Sequence, residues 1–334
     1  MNEQLLDVLT RSGVLIKVSI RYWRGCKQLK AEDLGLNQDQ VSDRLISLGH
    51  KRLLPKEALE ELALVEGRAH ALIEQNSFPF LNGLGHFLPN SKLEEVTGKL
   101  SALETSFWRS KQSFLQRYGQ LREAAVREWR TMAGKVSAEP ERLVSVIEAS
   151  FPVAAQLERH FGFHTSLFQI ALPESTSLQT VELADQMQVA NARDRAVQEA
   201  QAKIRRDTEV FVSECVASLR QQTAQLCEEM LHSIDSSEVG VHQKTLNRLV
   251  KFIEQFKQLN FANDTVMDQQ LEQVRRELLS RTAEEYRDSS PARNQLVQGL
   301  SRLRSKAKEL AHQDAADLVA RFGSLGRRKF NLAA

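Results

Sequence analysis

His160 and His164 stand four residues apart, a spacing that would set two imidazoles on one helical face within reach of a single zinc ion. Gly162 lies between them and no third cluster of ligating residues is nearby in sequence, so the pair does not carry a metal site. Glu60-Glu61 and Glu284-Glu285 offer adjacent carboxylates without a matching acid, base or ligand, and both read as solvated helix faces. The cysteines are Cys26, Cys215 and Cys227. Cys215 falls on a core-like helical position and Cys227 beside the same stripe, which argues against either as a nucleophile. On one helix those two would stand ~18 Å apart, too far for a disulfide. An odd count with no paired framework fits a reducing cytoplasm. No Gly-x-x-x-x-Gly-Lys-Ser/Thr loop is present. Gly323-Ser-Leu-Gly-Arg-Arg-Lys329 has the glycines of a phosphate cradle, but it follows a helix instead of joining strand to helix. It reads as a helix-ending glycine and a basic tail. These residues predict neither catalysis nor a cofactor.

Residues suited to binding are more plentiful. Residues 291–334 carry Arg293, Arg302, Arg304, Lys306, Lys308, Arg321, Arg327, Arg328 and Lys329 against Glu309, Asp314 and Asp317, an excess of about six positive charges. Arg302, Lys306 and Glu309 fall at helical spacing, so local pairing on a solvated face is one reading. A phosphate-backbone patch is the other, since backbone recognition needs clustered positive charge and little else. Phe330 and Leu332 follow the terminal cations and would suit a tail docking into an acidic groove on a protein. A second group is apolar. Residues 77–90 hold Phe78, Phe80, Phe87 and Leu88 together with two prolines and two glycines. They read either as a loop packed beneath helices or as an aromatic socket for a partner, where Gly83 and Gly85 permit close approach. Trp23 is a further candidate contact.

The elements that must position these residues are mostly helices. Leu93, Leu100, Phe107, Phe114 and Leu121 recur every seven residues, with Val96 and Leu103 between them, predicting a coiled-coil-like helix from Ser91 to about Met132. A second helix is expected from about Glu139 to Phe161. The longest should run from Ser177 to Ile234, its stripe of Val197, Ala200, Ile204, Thr208, Phe211, Cys215, Leu219, Leu226 and Met230 containing repeats of eleven. Three more follow at about His242–Asn260, Met267–Asp288 and Ala292–Phe322. Before all of these, Val14, Ile16, Val18, Ile20 and Tyr22 alternate with Leu15, Lys17, Ser19 and Arg21, the period of a half-buried strand. No convincing partner strand is visible, so this segment is expected to pair with another chain or to lie across the helices. Short helices are expected at Gln38–Leu48 and, after Pro55, at Lys56–Gln75.

Composition sets the limits. Only 7 of 334 residues are proline and 15 glycine, while 42% are apolar and 26% charged, which excludes collagen-like, low-complexity and many-stranded β architectures. The formal net charge of +2 is far from the footprint of a dedicated nucleic-acid binder. No basic-then-apolar leader opens the sequence, and no apolar run approaches the ~20 residues of a bilayer span. A soluble cytoplasmic protein is expected.

The segment Val18-Ser-Ile-Arg-Tyr-Trp-Arg-Gly-Cys-Lys-Gln-Leu-Lys-Ala-Glu-Asp-Leu34 resembles the opening of a bacterial and phage family of unknown function, domain-of-unknown-function family three-one-five-zero. The likeness rests on the alternating apolar run, Trp23, Gly25, a basic residue before Leu29, and Glu32-Asp33-Leu34. The Phe-Pro-Phe segment followed by Pro89 and the basic tail are similar too. Members tend to be encoded in mobile genetic elements and phages, beside MoxR-like AAA+ ATPases and von Willebrand factor A proteins. The resemblance therefore implies an accessory role beside an ATPase and brings no catalytic residues with it.

The expected fold is all-α, an elongated antiparallel coiled-coil arm plus a helical-bundle body with a short strand-like segment. Four regions are expected: residues 1–90, an arm over 91–238, a bundle over 239–322, and a basic tail over 323–334. The expected function is that of a non-catalytic, self-associating adaptor or structural subunit whose arm and tail engage an ATPase. The competing expectation is nucleic-acid binding through the Arg-rich C-terminal helix and tail.

Overall fold

The computed structural model describes residues 2–34, 48–80, 83–137, 139–169, 184–237, 240–312 and 319. The described residues form α1 (Asn2–Ser12), β1 (Gly13–Arg21), β2 (Cys26–Gln28), β3 (His50–Arg52), α2 (Glu60–Asn76), β4 (Phe78–Phe80), β5 (Gly85–Pro89), α3 (Asn90–Val136), α4 (Pro140–Ser150), α5 (Ala154–Leu157), β6 (Gly162–Phe168), α6 (Ala184–Ser236), α7 (Gln243–Leu259), α8 (Thr265–Leu278), α9 (Ala283–Asp288) and α10 (Ser290–His312). Helix predominates, but the strands correct the all-α expectation. The chain divides into two compact units: Met1–Ile16 with Asn76–Glu94 and Leu167–Ala334, and Lys17–Gln75 with Glu95–Ser166. The sequence blocks expected as domains do not follow this division, because the chain passes between the units several times. The expected helix at Gln38–Leu48 and the start of the long rod at Ser177 lie outside the described residues.

In the first unit the predicted strand finds its partner within the chain. The first residues of β1 pair antiparallel with β5, Gly13 opposite Pro89 and Ile16 opposite His86. On the far side of β5 lies β4, with Phe78 opposite Phe87. The expectation that β1 lacks an internal partner is corrected. Its partners were hidden because β4 and β5 are only 3 and 5 residues long and carry Pro79 and Pro89, which suit an edge strand and a strand end. Gly13 fixes the pairing, since a Cβ there would meet the Leu88 carbonyl oxygen and the Phe87 ring at 2.5 Å.

The helices of this unit surround α6. Its stripe is buried from Thr208 through Phe211, Cys215, Leu219, Leu226 and Met230, whereas Val197, Ala200 and Ile204 are half-buried. The helix laid along it is α10, which buries Leu296, Leu300, Leu303, Ala307 and Leu310. Arg293 donates to the Ile234 carbonyl and Arg220 to that of Leu310, so the two helices run antiparallel. Over its buried length, from Thr208 to Met230, α6 therefore takes α10 as its antiparallel neighbour. The expected Met267–Asp288 helix is two helices, because Thr282 and Glu285 form a capping box that starts α9.

One buried ion pair ties together the ends or faces of four of these helices. Arg220 Nε lies 2.6 Å from Asp264 Oδ2, with side chains 7% and 2% exposed. The guanidinium also donates to Leu310 O at the end of α10. Asp264 caps α8 by accepting from Met267 N, and its backbone N–H donates to the Asn260 side chain at the end of α7. A buried guanidinium and carboxylate are tolerable only when their remaining donors and acceptors are also met, as here.

In the second unit the seven-residue stripe of α3 is buried at Leu100, Phe107 and Phe114. It meets aromatic rings: Phe114 touches Trp23 and Phe161, and Phe107 touches Phe161 and Phe163. A heptad pattern reports one apolar face and does not specify what covers it. The second half of β1 lies beside β6 here, and β2 pairs antiparallel with β3. Lys51 on β3 reaches Asp33 at 2.6 Å in a second buried ion pair. The expected Glu139–Phe161 helix breaks after Ser150, where Phe151 becomes extended ahead of Pro152.

Replacing Arg220 with Met should therefore cost about 3–5 kcal/mol in chemical denaturation, because Asp264 is left buried and uncompensated. R220M combined with D264L should recover part of that loss. Additive losses in the double variant would contradict the pairing.

Candidate interaction surfaces

The apolar candidates are core. Trp23 packs against Phe114, Tyr118 and Phe151. Phe78 and Phe87 contact Phe261, and Phe80 and Phe87 contact Phe211. All four are buried, so the aromatic-socket expectation is corrected. The Phe-Pro-Phe hairpin uses its rings to hold β4 and β5 onto the helices, each fully buried phenylalanine contributing about 1.5–3 kcal/mol.

The ionisable candidates disperse. His160 ends a single 3-10 turn and His164 lies on β6, so they share no helical face. Among the described residues no group of three or more His, Cys, Asp or Glu is placed to hold a metal. Glu60 and Glu61 open α2, where acidic groups favour a helix N-terminus, and Glu285 is engaged in its cap. On α10, Lys306 pairs with Glu309 at 2.9 Å and Lys308 with Glu228 at 3.1 Å. Arg302 is exposed and Arg304 half-buried, and neither forms a salt bridge among those the described residues make. Arg321, Arg327, Arg328, Lys329, Phe330 and Leu332 lie outside the described residues.

Two of the concave surfaces among the described residues gather polar side chains in a way the sequence did not disclose. The larger is a groove of about 740 Å³ between α6 and α7. Leu226 and the half-buried Phe252 supply its apolar part. Gln222 and Gln225 come from α6, and Gln243, Asn247 and Gln255 from α7. Charge is supplied by Lys244, Arg248 and Lys251 against Glu229, which pairs with Arg248. On α7 the residues 243, 247, 251 and 255 recur every four positions and so share one helical face. The available signal was this repeat of amides and cations, which in sequence looks the same as a solvated face.

The smaller surface, in the second unit, is a pocket of about 470 Å³ lined by Tyr22, Arg24, Cys26, Arg52, Lys56 and Glu60 among others. Arg24 grips Glu66 with two parallel hydrogen bonds of 2.7 and 2.6 Å, and its guanidinium lies 4.0 Å over the Tyr22 ring. That fork holds the Glu66 carboxyl below its ordinary 4.5, against the opposing effect of partial burial. Burial raises the Tyr22 phenol.

A depressed folded pKa contributes stability above the unfolded value and loses it as pH falls through the folded one. Glu66→Gln should therefore destabilise the protein at neutral pH in urea titrations. The gap to the unmodified chain should close only as pH drops below 4.5, and a gap independent of pH would contradict the fork. Cysteine chemistry gives a second expectation. Burial raises the Cys215 thiol far above its usual range and pushes Cys227 up to about 12, so neither is nucleophilic near neutrality. Treatment with N-ethylmaleimide at pH 8 should label Cys26 alone, the other two reacting only after denaturation. Native labelling of Cys215 or Cys227 in peptide mass spectra would contradict this.

No helix of the described residues is long and apolar enough to cross a membrane. No curated protein and no solved structure matches the chain. The profile of a family described as "Protein of unknown function (DUF3150)" matches residues 10–305. That match runs from α1 to α10 through both units, and the chain therefore belongs to the DUF3150 family.

Proposed function

We propose that the chain is a non-catalytic cytoplasmic adaptor or structural subunit of a mobile-element or phage-type system, self-associating and holding a protein partner on its helical surfaces. The observation that carries this reading is the groove between α6 and α7, whose walls display amides and cations and whose base is apolar. Such a mixture serves recognition, since it offers orientation through hydrogen bonds and affinity through apolar contact. Cys215 and Cys227, by contrast, are spent on packing. The partner we favour is a MoxR-like AAA+ ATPase, a von Willebrand factor A protein, or both, as the family resemblance implies.

Nucleic-acid binding is the second reading, favoured by Arg302 and Arg304 on α10, neither of which is engaged by a carboxylate in the salt bridges of the described residues. Copurification from the native host after nuclease treatment separates the two. The adaptor reading predicts stoichiometric recovery of the neighbouring ATPase. Salt-dependent DNA binding that disappears on truncating residues 321–334, with no protein partner recovered, would contradict it and favour the second.

A further inference from the structure

We propose that the α6–α7 groove is the docking site for an acidic peptide segment of a partner protein, bound extended with apolar side chains interspersed among its carboxylates. The inference rests on the adaptor reading and names the chemistry of what is held.

Charge is the first argument. Lys244 and Lys251 are exposed on α7 and form no ion pair among the described residues, while Arg248 is held by Glu229 across the groove. The groove thus offers two uncommitted cations and one internally compensated pair. An acidic ligand would gain from both lysines, and a basic one would be repelled.

Hydrogen bonding is the second argument, and it separates peptide from nucleic acid. A phosphate backbone accepts hydrogen bonds and donates none, whereas a peptide does both at each residue. Several groove donors are already committed within the protein. Gln225 donates to Glu229, Gln243 to Asn247 and Gln222 to Ser218. Gln243 also accepts from Ala283 N, and Asn247 from Gln243, but each amide keeps a second acceptor site and a second N–H, so the set can both accept and donate, as a peptide requires and a phosphate does not.

Dimensions are the third argument. From Gln243 to Gln255 α7 rises ~18 Å, which an extended chain covers in roughly five or six residues. Alternate side chains of such a segment would meet Phe252 and Leu226, and the intervening carboxylates would lie along Lys244 and Lys251. The volume of about 740 Å³ falls within the usual range for ligand sites.

The test uses the full chain and a fluorescein-labelled peptide of alternating glutamate and leucine, read by anisotropy at low salt. The peptide should bind saturably, and its lysine–leucine counterpart should not. K244E/K251E should weaken binding at least about tenfold. Q222A/N247A, which leaves the charge unchanged, should weaken it to a lesser extent. The charge-matched control K203E/R206E, outside the groove, should leave affinity within twofold. Unchanged far-UV circular dichroism and Tm exclude misfolding as the cause, since every substituted position but Gln222 and Asn247 carries an exposed charged side chain, and those two are exposed amides. Absence of glutamate–leucine binding would overturn the proposal, as would equal loss in both charge-reversed variants. A labelled oligothymidylate that bound more tightly than the peptide and was lost in K244E/K251E would overturn it too, by making the groove a phosphate site. The adaptor reading is judged separately. An ATPase retained equally by K244E/K251E overturns the groove inference alone, whereas a peptide that binds the groove of a chain with no cellular protein partner overturns the adaptor reading alone.

Discussion

Arg220 is a charged side chain on the buried stripe of a long helix, where burial would be prohibitive unless its hydrogen-bonding groups were met. It is met on two sides, by the Asp264 carboxylate and by the Leu310 carbonyl. Asp264 in turn caps α8 and ties back to Asn260 at the end of α7. A single guanidinium therefore sets where α10 ends against α6 and where the chain turns from α7 into α8. Asn263 takes a φ of 58° inside that turn, a conformation that asparagine tolerates better than most residues. Apolar burial supplies most of the stabilising free energy of this unit, but apolar contact alone is indifferent to register. The ion pair, with its directional bonds, selects one arrangement of the helices.

The groove follows from that arrangement. With α7 held at its far end through Asn260 and at mid-length by Arg248 on Glu229, its buried face of Leu246, Leu249, Ile253 and Phe256 turns inward. The opposite rim is left to Gln243, Asn247, Lys251 and Gln255, facing the polar positions of α6. Both walls of the groove belong to packed helices, so the protein's side of any contact there is already ordered.

Helical periodicity made most of α3, α6, α7 and α10 legible, because an apolar face at a spacing near 3.6 residues is the requirement for burying one side of a helix. Alternation likewise exposed β1. The rest was hidden for physical reasons. Strands β4 and β5 are too short to show a period, and their buried phenylalanines sit among prolines and glycines that ordinarily mark loops. The stripe on α3 resembled a coiled-coil seam because periodicity is blind to whether Phe107 and Phe114 meet a helix or scattered rings. The candidate site was the least legible. Trp23, Phe78, Phe80 and Phe87 attracted notice as large apolar groups, yet burial is what such groups usually serve. The groove is made of glutamines, an asparagine and lysines that any exposed helix could carry, and only the packing of α6 beside α7 makes them a surface.

Hydrogen–deuterium exchange on the full chain carrying R220M tests the organising role of Arg220 most directly. The account predicts that protection falls together across residues 256–268, where α7 turns into α8, and across the last turns of α10. Helix α2, in the other unit, should exchange as in the unmodified protein. Unchanged protection across 256–268, or a loss of equal size in α2, would contradict the claim that this ion pair fixes the helices that build the groove.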